Sequence, residues 1–277
     1  MNARRMGQVL QYPVRKPKLS PSKITTYLAC PSKYRWTYVD DRGKWYMRSR
    51  STYSFGSTMH RVLERFHDSK QTGVETVAEV IAAYEESWMS AGFTSAEEMA
   101  EVYGDGKEIL ERYVEEARVL AVTAKTLFVE RQLRLDLGPF VLIGRLDRVD
   151  EHEDGSLEII DYKSGRRAVT EEDVACDVAM SCYQLMLRAA YPDRPIRASI
   201  HALSTGQRAS HAMTASELDE FEQDVRFIGS QILGHDYEYL TPVYRSLCES
   251  CDFLVLCRKH DDFVYPRSLA AADNGDH

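Results

Sequence analysis

The stretch GRLDRVDEHEDGSLEIIDYKSG, residues 144–165, holds two short alternating segments around an acidic turn that ends in glycine. Alternate residues of a strand share a face, so Val141, Ile143, Arg145 and Asp147 point one way, and Leu157, Ile159, Asp161 and Lys163 do likewise. Each strand passes from apolar to charged at one end. In a hairpin, Asp147 and Asp161 face each other only if paired residue numbers sum to an even value near 308. That register needs a loop of odd length. Glu153-Asp154-Gly155 supplies one, with Gly155 suited to the left-handed position of a three-residue turn.

Two carboxylates held side by side repel unless a cation lies between them, and hard oxygen ligands select Mg²⁺ or Mn²⁺. Lys163, two residues beyond Asp161 on the same face, would stand beside a bound water or phosphate and stabilise negative charge developing there. The same residues could instead form plain ion pairs, Asp161 with Lys163 and Arg148 with Asp150.

Around this hairpin the pattern alternates between helix and strand. Ser20-Pro21 opens SPSKITTYLAC, which Pro31 interrupts before SKYRWTYV, so two short helices are expected. FGSTMHRVLERFHDSK places Phe55, Met59, Val62, Leu63 and Phe66 on one helical stripe, with His60, Glu64 and His67 beside it. Acidic amphipathic helices follow over 74–124, with breaks expected near Gly92 and Gly104. Then come the strands LFVERQLRLDL and PFVLIGRLDRVD, the strand LEIIDYKSG, a helix over about 171–190, the strand IRASIHALS and a helix over about 214–233.

The 277 residues, 44% of them hydrophobic, can bury a sizeable core. No run of about 18 apolar residues occurs and the N-terminus has no apolar leader core, so a cytoplasmic protein without membrane contact is expected. Net charge is −8, yet the first 50 residues hold 12 Lys/Arg against Asp40 and Asp41 alone. Such asymmetry suggests a local polyanion site. The same segment interleaves Tyr27, Tyr34, Trp36, Tyr38, Trp45 and Tyr46, some of which could stack on bases. No G-x-x-x-x-G-K-[ST] loop is present, so any helicase motor would be a separate protein.

Asp147 followed by Asp161-Tyr162-Lys163 resembles the signature of the PD-(D/E)XK nuclease superfamily. The words GRLDRVD and IIDYKSG resemble its RecB-like branch, which includes CRISPR-associated RecB-like exonucleases and exonuclease V. LSPSKITTYLACPSKYRWTYV and FGSTMHRVLE resemble the opening helix-cysteine segment and the glycine-x-x-x-histidine helix of that branch, over roughly residues 19–260. The resemblance implies that His60, Asp147, Asp161 and the backbone carbonyl of Tyr162 hold Mg²⁺ or Mn²⁺, while Lys163 orients or activates the attacking water. It also places Glu130 as an additional or outer-shell acid and Gln184 in a DNA-holding glutamine motif. Four residues after that glutamine the branch usually has tyrosine and this chain has Arg188; Tyr183 or Tyr191 could substitute.

Cys248, Cys251 and Cys257 form a C-x2-C-x5-C cluster, and Cys30 is available as a fourth ligand. Four thiolates suit either an iron-sulfur cluster or structural Zn²⁺. The one-plus-three arrangement resembles the iron-sulfur subgroup of RecB-like nucleases, which implies a [4Fe-4S] cluster ahead of Zn²⁺. Cys176 and Cys182 are expected to be ordinary buried or partly buried thiols.

The expected architecture is α/β, a restriction-endonuclease-like mixed sheet flanked by helices. A basic arm (1–18) precedes one nuclease domain (19–260), and a polar tail (261–277) follows. Within the domain, a helical portion (19–125) leads to a nuclease core (126–240) and a cysteine segment (241–260) joined to Cys30. The expected function is metal-dependent exonucleolytic hydrolysis of single-stranded DNA ends, with a helicase, recombination or CRISPR-adaptation protein as a partner in trans. The rival expectations are a non-catalytic Fe-S or zinc DNA-binding subunit and an endonuclease that trims DNA ends.

Overall fold

The computed structural model describes residues 16–68, 74–120 and 124–266. The expected arm up to residue 15 and the tail from residue 267 lie outside the described residues.

The deciding hairpin forms in the expected register. Strand β3 (Val141–His152) and β4 (Leu157–Lys163) pair antiparallel with Arg148 opposite Ile160 and Glu151 opposite Leu157, each pair summing to 308. Gly155 closes the turn at φ +83°, a left-handed conformation open to glycine at little cost, and its N–H donates to the His152 carbonyl at 2.9 Å.

Around the hairpin stands a six-stranded mixed sheet in the order β1-β3-β4-β5-β6, with β2 also paired to β3. β2 (Ala124–Asp136) runs antiparallel to β3, and β1 (Lys18–Leu19) runs parallel to its start. β5 (Ile196–Ala202) is parallel to β4, and β6 (Gln207–His211) is antiparallel to β5. β4 is central and covered on both faces, which is why it reads LEIIDYK and is buried up to Tyr162.

On one face, α3 (Ser51–His67), α4 (Val77–Ser87) and α5 (Ala96–Leu120) bury Met59, Val62, Tyr84 and Leu110 against Ile160 and Tyr162 of β4. On the other, α7 (Val178–Ala190) lays Met180 and Leu187 on Leu157 and Ile159. Near the start of β3, Ile24 of α1 (Pro21–Ala29) and Val225 of α8 (Ala215–Gly234) join Phe140 and Leu142. Adjacent positions of β4 thus serve opposite cores.

Cys30 caps α2 (Pro31–Tyr34), and a short α9 (Leu254–Cys257) lies in the C-terminal segment. Four details differ from the sequence expectation. Gly104 does not break a helix: α5 runs unbroken for 25 residues, and the break falls at Gly92, whose φ is +86°. Gly106 lies inside α5 because an added Cβ would meet the Tyr84 hydroxyl at 2.1 Å, so its bareness serves packing. The helix over 171–190 is divided, α6 (Glu171–Ala175) from α7, where the Asp177 side chain accepts from Ala179 N–H at 2.7 Å and caps the second helix. The short strands β1 and β6 carry too little alternation to be read from sequence, and Lys18 belongs to the sheet.

Gly144 lets α7 approach β3, since an added Cβ would lie 2.9 Å from Tyr183 Cε1 and 3.0 Å from Met186 Sδ. Gly144→Val should cost about 1–3 kcal/mol by overpacking, read as a lower urea midpoint with an unchanged m-value; an unaltered midpoint would show that the helix yields freely.

Candidate metal centre and active site

The site lies where β3 and β4 part. Their pairing ends at Arg148 and Ile160, so Asp147 and Asp161 are the next residues outward, while β4 continues alongside β5 alone. Backbone groups that leave a ladder must find other partners. The Tyr162 N–H donates to Asp147 Oδ2 at 2.9 Å, and the Tyr162 carbonyl lies 3.0 Å from His60 Nε2. His60 comes from α3, and its Nδ1 stands 3.3 Å from Asp147 Oδ2 and 3.8 Å from Glu130 Oε1. Gly56, one turn earlier, allows this approach: an added Cβ would lie 3.1 Å from Ser164 Oγ, just past the end of β4. That contact is the physical content of the glycine-x-x-x-histidine spacing.

Glu130 reaches the cluster by a strained route. In the β2–β3 ladder Val129 pairs with Arg148 and Arg131 with Leu146, leaving Glu130 unpaired at φ +46°, the single left-handed non-glycine among the described residues. That conformation costs about 1–2 kcal/mol for a residue with a Cβ, and such strain clusters at functional sites. Here it brings the carboxylate in, so that ligand atoms of His60, Glu130 and Asp147 all lie within 4.8 Å of one another. Arg145 Nε holds the other Glu130 oxygen at 2.5 Å.

The charges match a site built for a cation. Burial lifts the Asp161 carboxyl to about 6, Asp147 adds to the rise, and Lys163 opposes it from 2.7 Å. Asp161 Oδ2 is buried, and its contact is the Lys163 ammonium. Burial works against a charged His60, yet Asp147 and Glu130 overcome it and raise the imidazole to about 10. Burial likewise works against the Lys163 ammonium, and Asp161 with Asp177 raises it above its ordinary value. The imidazolium therefore supplies the positive charge between Asp147 and Glu130. Three oxygen and nitrogen donors within ligand reach, from His60, Glu130 and Asp147, fit a hard divalent ion, with the buried Asp161 carboxylate beside them.

A cavity of about 1000 Å³ opens over the cluster, lined by His60, Glu130, Asp147, Asp161 and Lys163. A second, about 530 Å³, meets it at Arg145, Asp161 and Lys163 and extends to Asp177 and Tyr183. Tyr183 thus stands beside the acids, whereas Tyr191 packs in the core behind α7 and Arg188 pairs with Asp219 at 2.8 Å. Gln184 is not brought to the cluster: it is 1% exposed, and its Oε1 accepts from Met213 N–H at 3.0 Å. Asp177 and Arg145 were missed in the sequence. The signal for Asp177 was its position before a helical run, as an N-cap; Arg145 lay in plain view two residues before Asp147. Of the six aromatics near the N-terminus, Tyr34 is buried, Trp36 has the Arg35 and Arg42 guanidiniums 4.7 and 5.6 Å from its ring centre, and Trp45 is 88% exposed.

The four cysteines of the expected cluster gather at a separate place. Cys30, Cys248 and Cys257 are buried and Cys251 is half-buried. Burial pushes the Cys257 thiol up to about 12, and Cys30, Cys251 and Cys248 add to the rise, so all four thiolates coexist only around a cation. N–H groups already aim at two of the sulfurs, Lys33 N at Cys30 and Arg245 N at Cys248, each at 3.4 Å. Cys176 is exposed, against expectation, because the α6–α7 break leaves it outside the core; Cys182 is buried.

The family model of the PD-(D/E)XK nuclease superfamily matches residues 18–258, and the chain belongs to this superfamily. Its members are nucleases that use divalent metals, and the mixed sheet flanked by helices is their restriction-endonuclease-like fold. No curated protein matches the chain. Among solved structures it is similar to one titled "Crystal structure of SSO0001", at 11% identity and a TM-score of 0.41 over 90% of each chain. No helix among the described residues is long and apolar enough to cross a membrane.

A metal ion that takes His60 as a ligand must displace the proton held there to about pH 10. Mn²⁺ affinity should therefore rise about tenfold per pH unit between pH 7 and 9, with close to one proton released per ion. Below about pH 6 Asp161 also protonates and affinity should fall further. Calorimetry in buffers of different ionisation enthalpy checks this, and an affinity equal at pH 7 and 9 would remove His60 from the ligand set.

Proposed function

We propose that this chain is a metal-dependent deoxyribonuclease that degrades single-stranded DNA from its ends. The observation that carries the reading is the convergence of His60, Glu130, Asp147 and Asp161, with Lys163, at the β3–β4 fork of a PD-(D/E)XK fold. The resemblance of GRLDRVD, IIDYKSG and the glycine-x-x-x-histidine helix to RecB-like exonucleases supports the exonuclease assignment.

His60, Asp147, Asp161 and the Tyr162 carbonyl would hold Mg²⁺ or Mn²⁺, with Glu130 as a further ligand. A divalent ion bound there supplies Lewis-acid charge to the phosphate being cleaved. Lys163, kept protonated by Asp161 and Asp177, presents its Nζ to the negative charge that builds on the phosphate oxygens and orients the attacking water. Arg145 holds Glu130 in place, and Gly56 keeps α3 close enough for His60 to reach.

Cys30, Cys248, Cys251 and Cys257 would hold a [4Fe-4S] cluster. The resemblance of the one-plus-three cysteine arrangement to the iron-sulfur subgroup of RecB-like nucleases supports the cluster over a tetrahedral Zn²⁺. The chemistry of DNA unwinding would come from a helicase, recombination or CRISPR-adaptation protein in trans.

End-labelled single-stranded DNA, digested by anaerobically purified protein with Mn²⁺ and with chelator, tests the reading. Progressive shortening that needs metal is expected, together with a broad visible absorbance lost in Cys251→Ala. Asp161→Ala and Lys163→Ala should each slow cleavage by at least about a hundredfold; a Lys163→Ala rate equal to wild type sinks the role given to that lysine. An intact, cluster-loaded protein that binds DNA without cutting it would instead be a DNA-binding subunit.

A further inference from the structure

Helix α3 turns two parallel ridges toward the metal cavity. Side chains four residues apart on a helix form a row, and Gly56, His60 and Glu64 make one such row, half-buried and set against β4 and Glu130. The row beside it is Tyr53, Ser57 and Arg61. All three residues are exposed, and all three line the same cavity of about 1000 Å³ as His60, Asp147, Asp161 and Lys163.

The chemistry of this second row is unlike the rest of the helix. The Tyr53 ring is 68% exposed and, among the described residues, touches no other ring and shares its hydroxyl with no partner. Among the described residues no carboxylate lies within ion-pair distance of the Arg61 guanidinium, whereas Arg65, the next basic residue of α3, pairs with Glu86 at 2.9 Å. The buried stripe of α3 is supplied by Phe55, Met59, Val62 and Leu63, so neither Tyr53 nor Arg61 is needed to hold the helix. An apolar ring left in water beside a hydroxyl and a guanidinium with no close ion-pair partner, Glu64 acting on it only from farther away, matches the parts of a nucleotide: a flat base, a sugar and a phosphate.

We infer that Tyr53, Ser57 and Arg61 form a nucleotide subsite beside the metal centre, with an unpaired base stacked on Tyr53 and a backbone phosphate held by Arg61. The inference rests on the nuclease reading for its substrate class and extends it to specificity. A ring face can be covered by a base only if that base is free of a neighbour, so this row selects single-stranded over paired DNA. Tyr53 and His60 are seven residues apart on one helix, about 10 Å along its axis, so the stacked base lies at a fixed short reach from the bond being cut.

The test separates binding from cleavage. Single strands carrying one 2-aminopurine are mixed with the full protein in chelator, where no metal-dependent cutting occurs, and base fluorescence is followed. Stacking on Tyr53 should quench the probe, Tyr53→Phe should retain the quench, and Tyr53→Ala should abolish it while weakening binding at least fivefold. Arg61→Gln should weaken binding without removing the quench. With Mn²⁺, Tyr53→Ala should raise KM for single strands at least fivefold, leave Mn²⁺ affinity at the wild-type value, and make a strand with one abasic site as good a substrate as the intact strand. Unchanged binding and KM in Tyr53→Ala, or an unquenched wild-type complex, overturns the subsite and leaves the nuclease reading standing. A quenched wild-type complex that never cuts under Mn²⁺ keeps the subsite and overturns the nuclease reading instead.

Discussion

The two backbone groups of Tyr162 govern the site. Beyond Ile160, β4 leaves β3, and a buried N–H and carbonyl without partners would cost a few kcal/mol together. Asp147 takes the N–H and His60 takes the carbonyl. The acid on one strand, the histidine on a distant helix and the peptide of the other strand are therefore bound into one unit before any ion enters. Because β4 is central and buried on both faces, this unit has little freedom to drift. The side-chain end of Tyr162 is tied as firmly, its hydroxyl 2.8 Å from that of Tyr113 of α5.

What the fork gathers is an excess of negative charge. Asp147, Glu130 and Asp161 share a region sheltered from water, where repulsion between carboxylates is large. Without an ion, that cost is met by protons and by basic side chains: a charged His60, a carboxyl on Asp161 that titrates near 6, Lys163 against Asp161 and Arg145 against Glu130. The ion pair between Asp161 and Lys163 and the one between Arg148 and Asp150 both form, but they do different things. Arg148 and Asp150 close on each other, Arg148 also donating to the Tyr113 and Tyr162 hydroxyls and Asp150 accepting from Thr126. Asp161 and Lys163 instead line the cavity over the cluster, with Lys163 half-exposed to it.

Much of this was legible in the sequence because period and register are local properties. The hairpin, the parity of its loop, the left-handed Gly155, the stripe on α3 and the place of Asp147 and Asp161 just beyond the last strand pair all follow from residues close together in the chain. The illegible parts depend on partners far away. Gly104 looks like a breaker until α5 is seen to run unbroken through it, held over the core at Gly106, where Tyr84 packs across the helix. Gln184 looks like a site residue until β6 and α8 are placed, after which its amide serves the Met213 backbone. The strain at Glu130 has no sequence signature, because a strand written FVERQLRL gives no sign that one peptide has turned over. Arg145 and Asp177 were passed over for a simpler reason: an arginine in a strand and an acid before a helix both have ordinary roles, and each acquires a second only through Glu130 and Lys163.

Helix α3 shows how one element meets several demands at once. Its apolar stripe fastens it to the core, its glycine row lets it press against the end of β4, and its third row is left to the cavity. A helix is stiff over two turns, so these faces cannot be adjusted independently: moving His60 toward Asp147 also moves Tyr53 and Arg61. This coupling explains why the close contact at Gly56 matters more than its size suggests. A side chain there would press on Ser164 and shift the metal ligand and the exposed row together, so that ion and strand would be misplaced by the same displacement. The glycine in FGSTMH thus sets the distance between the helix and the sheet, and through it the geometry of everything the two elements hold between them.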